Sequence, residues 1–396
     1  MKIVQATFGV FHHFELAAEL YRRGHLERIY STFPWSRLKR EGIPRAVVQT
    51  FPWIHTTQLL LERKHLLTPA LSEMFSYHNA TTFDRWLYDR IPACDALIAL
   101  SGAALATGAK VQHRGGKLLC DRGSTHRLFQ SRVLREEHEI WKQEYISDGA
   151  RELAREELIY HQADAIVVPS QVARQSFITE GIAAEKVHVI PYGVRLDRFK
   201  KTGSPPSGQN ARFEVLFVGG VSLRKGIPYL LKAFAKLRHP YKRLRIIGSV
   251  PSSFKPFLAT LPLDDVEFVG AVPQTELVDY MSRSHVMVLP SIEEGLALVQ
   301  GQALSCGCPI IASTATGSQD LFTDGVEGFI LPIRDWDGIV DRLQRLADDP
   351  DLRDRMSTAA SIRVGQLGGW THYGDLWENL LCQITASSSN STPTMI

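Results

Sequence analysis

The sequence predicts an α/β protein built from two doubly wound parallel-sheet domains. Three observations carry that expectation. The chain has 396 residues, too many for one typical core. Apolar strands alternate with amphipathic helices from the first residues onward, and the alternation restarts at residue 213, as parallel sheets covered on both faces require. Between the two series lies KKTGSPPSGQNAR, Lys200 to Arg212, rich in Gly, Ser and Pro, which reads as a linker.

In the first half, KIVQATF reads as a strand and FELAAELYRRG as a helix closed by Gly24. DALIALS and KLLCDRG are strands, ELAREELIYHQA a helix, and AIVVPS and KVHVIPYG strands. Residues 35–82 break the alternation; their mixture of aromatic and basic residues predicts helices and loops projecting from the sheet. After the linker, FEVLFVGG, LRIIGSV, VEFVG, HVMVLPS and CPIIAS read as strands, with helices IPYLLKAFAKL and TELVDYMSRS between them. DWDGIVDRLQRLADD, DLRDRMSTAASIRV and GGWTHYGDLWENLLCQI are helical in pattern, and ASSSNSTPTMI is polar enough to be expected disordered. The expected division is therefore 1–199, linker 200–212, 213–368, a terminal helix 369–385 and a tail 386–396.

Composition removes several functions. Hydrophobic content of 44% with 22% charged residues suits a soluble globular enzyme. A net charge of +3 is too small for a nucleic-acid binder. Residues 1–200 hold 27 Lys and Arg against 22 Asp and Glu, a mild excess that scatter accounts for as well as an anionic partner does. Cys94, Cys120, Cys306, Cys308 and Cys382 form no metal or disulfide spacing, so free thiols in a reducing compartment are expected. MKIVQATFGV enters a strand without a signal peptide, and no apolar run approaches the roughly 20 residues that span a bilayer. The expected location is cytoplasmic. The first strand runs into ATFGVFHHF without G-x-G-x-x-G, and no G-x-x-x-x-G-K-[ST] occurs, which weakens dinucleotide and P-loop readings.

The most informative stretch is PSIEEGLALVQGQALSCGCPIIAS, residues 290–313. It reads as the end of a strand, a tight loop, a helix and the next strand, one βαβ unit. The loop falls at the carboxyl end of its strand, where open α/β sheets place ligands. N–H groups opening the helix favour a phosphate. Glu294 would compete with that phosphate unless it faces something else, and hydroxyl groups are the natural choice. Lys225, just after Gly219-Gly220, can supply charge to an anion, with Arg224 beside it.

Four segments in order, EKVHVIPYGVRLDRF, LFVGGVSLRKGIPYLLKAF, VEFVGAVPQTELVDYMSRSHVMVLPSIEEGLALVQGQALSCGCPIIAS and GSQDLFTDGVEGFILP, resemble glycosyltransferase family 4. The resemblance implies the GT-B fold, two Rossmann-like domains facing each other across a cleft. The first would bind the acceptor and the second the nucleotide-sugar donor, with the terminal helix crossing back. It implies retaining transfer of a hexosyl group from a nucleotide-diphosphate sugar to a hydroxyl of a glycan, glycolipid or other acceptor. A UDP-sugar is favoured and GDP-mannose is next; neither metal nor cofactor is implied. In this reading Gly219, Gly220, Arg224 and Lys225 hold the diphosphate, with N–H groups from Gly295, Leu296, Ala297 and Leu298. Glu294 takes sugar hydroxyls, and Val269, Gly270 and Val272 flank the base. The family's second glutamate, which meets the ribose, is here Gln302. An arginine usual in the family is replaced by Gly220, and a common glycine by Ala297. Lys225, Glu294 and His126 are the candidate catalytic groups; His126 follows a strand in KLLCDRGSTHRLF. His12, His13, Asp121 and Arg122 are acceptor-side candidates.

Two rivals stand beside the transferase. A GT-B sugar-nucleotide epimerase would need an acid/base pair on the sugar ring. A non-catalytic nucleotide-sugar-binding partner in polysaccharide assembly would show losses such as Gly220 and Gln302. WSRLKREGIPR sets Arg37, Lys39, Arg40 and Arg45 against Glu41 beside Trp35. It suits either peripheral contact with anionic lipid or a cap over the acceptor cleft.

Overall fold

The computed structural model describes residues 1–386 except His65, Asp148, Leu196 and Gln209. The expected tail beyond Ala386 lies outside the described residues. A first sheet contains β1 (Ile3–Thr7), β2 (Leu26–Ser31), β3 (Val48–Thr50), β4 (Ala96–Leu100), β5 (Lys117–Asp121), β6 (Ala165–Val168) and β7 (Val187–Val189). Its order is β3-β2-β1-β4-β5-β6-β7, with every pair parallel. A second contains β8 (Phe213–Val218), β9 (Lys242–Ile247), β10 (Val266–Gly270), β11 (Val286–Leu289), β12 (Ile310–Ser313) and β13 (Gly328–Leu331). Its order is β10-β9-β8-β11-β12-β13, again parallel.

Strand β11, VMVL, is buried along its whole length, which is why it reads as an unbroken apolar run; β1 is as deeply buried but carries Gln5 and Thr7. In each sheet the connection reverses direction once, between β1 and β4 and between β8 and β11. Those two switch points open crevices at the carboxyl ends of the strands, and the residues after β1, β5, β8 and β11 build the site.

Two strands escape the sequence reading. Glu27 and Arg28 interrupt the apolar pattern of β2, although Ile29 and Tyr30 are buried. The three-residue β3 is an edge strand hidden in the aromatic and basic stretch. That stretch continues into helices Trp53–Arg63 and Pro69–Arg90, the second anchored by buried Phe83 and Leu87. The interdomain segment does not hang free. Thr202 bonds Asp279 and Ser282, and the His285 ring meets Pro206 O at 3.1 Å. Helix Trp370–Ala386 returns to the first domain and packs on helix Phe11–Arg22, where Arg23 pairs with Asp375 at 2.7 Å and Glu378 at 2.6 Å.

Candidate active site

Past β8, the glycine loop leads to Arg224 and Lys225 and then to helix Ile227–Lys236. Gly226 lies at φ +67, and a Cβ there would overlap Pro290 O at the end of β11. Only glycine lets the two loops approach so closely. The approach sets two bases against two acids. Lys225 Nζ pairs with Glu294 Oε1; Arg224 Nε reaches Glu293 Oε2 at 2.8 Å, and its terminal nitrogen lies 3.6 Å from Glu294.

The two glutamates have different work. Glu293 is 1% exposed and accepts from Ser124 Oγ (2.7 Å), Thr125 Oγ1 (2.6 Å) and Gln130 Nε2 (2.7 Å), all from the first domain. Burial pushes its pKa up, but Arg224 and these hydrogen bonds outweigh burial and hold it at about 2. It is an ionised strut between domains. Glu294 touches the two bases and keeps acceptor capacity for a ligand. Nothing in the sequence marked Glu293 as the interdomain group, although the polar run Ser124-Thr125-His126 after β5 was the available signal.

The helix after this loop begins at Leu298 rather than Gly295. Gly295 instead presses on the first domain: its carbonyl accepts from Ser170 Oγ at 2.6 Å, and a Cβ would overlap Gly123 O. The Ala297 N–H, expected to be available to a phosphate, donates to Thr316 O at 3.3 Å. The first-turn N–H groups are therefore those of Leu298 and Val299, and the expected contribution of the Ala297 N–H is corrected. One turn on, Gln302 shares with Leu298 and Gln274 the second-domain wall of an interdomain cavity of about 620 Å³; His12, Glu15 and Arg37 stand on the opposite wall. Gly219 and Gly220 close β8. Val269, Gly270 and Val272 stand half-buried at the carboxyl end of β10, separated from β11 by β9 and β8.

On the first-domain side, the structure brings together His12, His13 and Asp121 but not His126. His12 Nε2 lies 2.9 Å and His13 Nδ1 3.2 Å from Asp121 Oδ2. Burial lowers the His12 pKa more than Asp121 raises it, so the ring is neutral at pH 7. Asp121 is pushed up by burial, yet the two imidazoles take it below the ordinary carboxylate range. Among the described residues these three are the group whose ligand atoms, within 4.8 Å of one another, could hold a metal ion. The arrangement as it stands is a carboxylate orienting two rings.

His126 is corrected as a cleft residue. It is 0% exposed, packed between Tyr160 and Phe177, and its Nδ1 accepts from Leu128 N at the start of helix Arg127–Ile140. Burial brings its pKa down to about 4, and its other nitrogen faces Glu157 at 3.3 Å. It caps a helix. Arg122 is likewise buried, bonded to Thr125 O, Ser101, Glu156 and Gln130.

Two facing doubly wound domains with a basic loop and a helix start in the cleft define the GT-B class. Residues 203–363 match the family model described as glycosyl transferases group 1, and residues 124–198 that of Glycosyltransferase Family 4. The matched stretches together take in more than half of the chain, which belongs to glycosyltransferase family 4. A D-inositol 3-phosphate glycosyltransferase of Kribbella flavida is 29% identical over 55% of this chain and 56% of its own. The chain spans about half the length of the curated relatives it matches. The sucrose-phosphate synthase of Thermosynechococcus elongatus superposes with a TM-score of 0.73 at 18% identity, covering 98% of this chain and 100% of that one. Anabaena HepE in complex with UDP-glucose gives 0.66 at 17% identity, over 97% and 100%. No helix among the described residues is long and apolar enough to cross a membrane.

Proposed function

We propose that the chain is a retaining glycosyltransferase moving a hexosyl group from a nucleotide-diphosphate sugar to an acceptor hydroxyl. A UDP-sugar is the favoured donor, with GDP-mannose next, and a glycan or glycolipid a fitting acceptor. The observation that carries this reading is the Arg224-Lys225 pair facing Glu293-Glu294 at the switch point of the second sheet. As the bond from sugar to phosphate breaks, the diphosphate gains negative charge. Lys225 and the N–H groups of Leu298 and Val299 answer that charge, an effect worth about 10²–10³ in turnover per donor. A diphosphate drawing Lys225 toward itself frees Glu294 to accept hydrogen bonds from sugar hydroxyls. Gln302 offers one carbonyl acceptor to the ribose.

His12, neutral and held by Asp121, is the first-domain group we assign to the acceptor hydroxyl, replacing His126 in that part. Front-face attack, with the leaving phosphate taking the acceptor proton, needs no protein nucleophile. We further propose that Lys225, Arg224 and the helix start carry the diphosphate without a divalent cation, and that the enzyme works in the cytoplasm. That the relatives compared are transferases and a synthase supports transfer over epimerisation. Calorimetric titration with UDP, GDP and ADP tests the reading. One nucleotide should bind the wild type and bind Lys225→Ala at least about tenfold more weakly. No binding of any nucleotide at millimolar concentration sinks it.

A further inference from the structure

One hydrogen bond does not fix the plane of a ring. Asp121 is ionised, so His12 donates to it from Nε2 across 2.9 Å, and Nδ1 has no partner among the described residues. That bond sets where Nε2 lies but lets the imidazole swing about it, because the second side-chain torsion of histidine is only loosely restricted. Packing has to do the rest. His13 lies against the ring at 4.1 Å between centroids, but it hangs from the same Asp121 oxygen at 3.2 Å and brings no independent anchor. Phe11 meets the ring edge-on and is 60% exposed. Tyr192 is 6% exposed and faces His12 at 4.5 Å, with 31° between the planes.

Tyr192 is itself held by the two segments that cross between the domains. It follows β7 in Pro191-Tyr192-Gly193, where the chain leaves the first domain. A Cβ on Gly193 would come within 2.6 Å of Trp370 N, so the outgoing chain is backed against the start of the returning helix. Trp370 and Tyr373 flank the Tyr192 ring at 6.5 and 6.2 Å between centroids. At Gly123, after β5, a Cβ would sit 2.8 Å from the Tyr192 hydroxyl and 3.4 Å from His12 Cε1, so the loop closes over both rings. The hydroxyl has no hydrogen-bond partner among the described residues. What Tyr192 offers is its flat face, not its oxygen.

We infer that Tyr192 is a positioning residue: its ring fixes the plane of His12, and it works from the point where the two interdomain crossings meet. His12 is aligned only while both crossings are seated together. The part His12 plays at the acceptor hydroxyl rests on the transferase reading, but the positioning does not. Misplacing a reacting group by about 1 Å costs about a hundredfold in rate, and donor groups in the second domain are untouched by it. Removing the ring also uncovers His12 and relaxes the burial that lowers its pKa. The groups that face His12, Asp121 from β5 and His13 from its own helix, stay as they are. Glu15 and Arg195, which share its cavity, are paired with each other.

Turnover against pH, with imidazole nitrogen NMR of the full chain, tests this; the His12 signals are those that His12→Gln removes. Tyr192→Phe discards only an unpartnered hydroxyl and should retain at least about half of the wild-type kcat, with His12 titrating as before. Tyr192→Leu should lower kcat at least about tenfold, with donor KM and UDP affinity as in the wild type. In that variant the His12 titration and the acidic limb of the rate profile should both move to higher pH. Tyr192→Met, which fills the gap without a flat face, serves if Tyr192→Leu does not fold. Equal losses in Tyr192→Phe and Tyr192→Leu, or a loss of kcat with the His12 titration unmoved, would overturn the inference. A wild type without transfer activity strikes the transferase reading, and the titration then decides the positioning by itself.

Discussion

Replacing Glu293 by Gln removes a charge without changing volume, at the point where the two domains are fastened. The carboxylate is held at about 2 against an ordinary 4.5. At about 1.4 kcal/mol for each tenfold change in proton affinity, that is about 3 kcal/mol of stabilisation. The direct route gives a similar figure. Removing one partner of a buried ion pair costs about 3–5 kcal/mol, and the Arg224 side chain is 37% exposed, which favours the lower end. Because the folded value lies below the unfolded one, the stabilisation is whole above about pH 4.5 and fades as pH falls toward 2. Urea unfolding at pH 7 should show the variant weaker by about 3 kcal/mol, and at pH 3 by about half of that. A loss under about 1 kcal/mol at pH 7, or a loss independent of pH, would refute the strut.

Further substitutions separate the parts of the cleft. Lys225→Ala should weaken UDP at least about tenfold while leaving uridine nearly unchanged, since only the diphosphate meets the ammonium. Gly295→Ala should cut turnover about a hundredfold, because its Cβ overlaps Gly123 O and the domains seat out of place; unchanged UDP affinity in the same variant separates seating from donor binding. Gln302→Glu should tighten UDP about fivefold, the margin between a charged and a neutral acceptor for a ribose hydroxyl, and no gain would remove Gln302 from the ribose. Turnover measured with excess EDTA should equal turnover without it. A loss restored by one divalent cation would transfer the diphosphate, or the His12-His13-Asp121 group, to metal chemistry.

The second domain was legible because its physics is local. β8, β11 and β12 are buried on both faces and read as apolar runs, and glycine punctuation located the turns. Lys225 and Glu294 lie within a few residues of those strand ends, so sequence spacing alone carried them to the same crevice. The failures are tertiary. The N–H of Ala297 was lost to Thr316, 19 residues away, and nothing local announces that bond. His126 follows β5 as a cleft residue would, but Tyr160 and Phe177 close over it from two other helices. The strut made by Glu293 is not readable locally, because its partners Ser124, Thr125 and Gln130 lie 169, 168 and 163 residues before it.

The return of helix Trp370–Ala386 to helix Phe11–Arg22 has a consequence for the order in which this chain is made. Synthesis is vectorial, and domains ordinarily fold as they emerge. Here Phe11–Arg22 leaves the ribosome before the whole second domain, yet helix Trp370–Ala386, which packs on it with Gly374 against Glu19, leaves after that domain. The first domain to emerge is the last to be finished. Until that helix emerges, Arg23 and His25 lack Glu378, and a nascent first domain carries an uncovered helix face through the whole translation of the second.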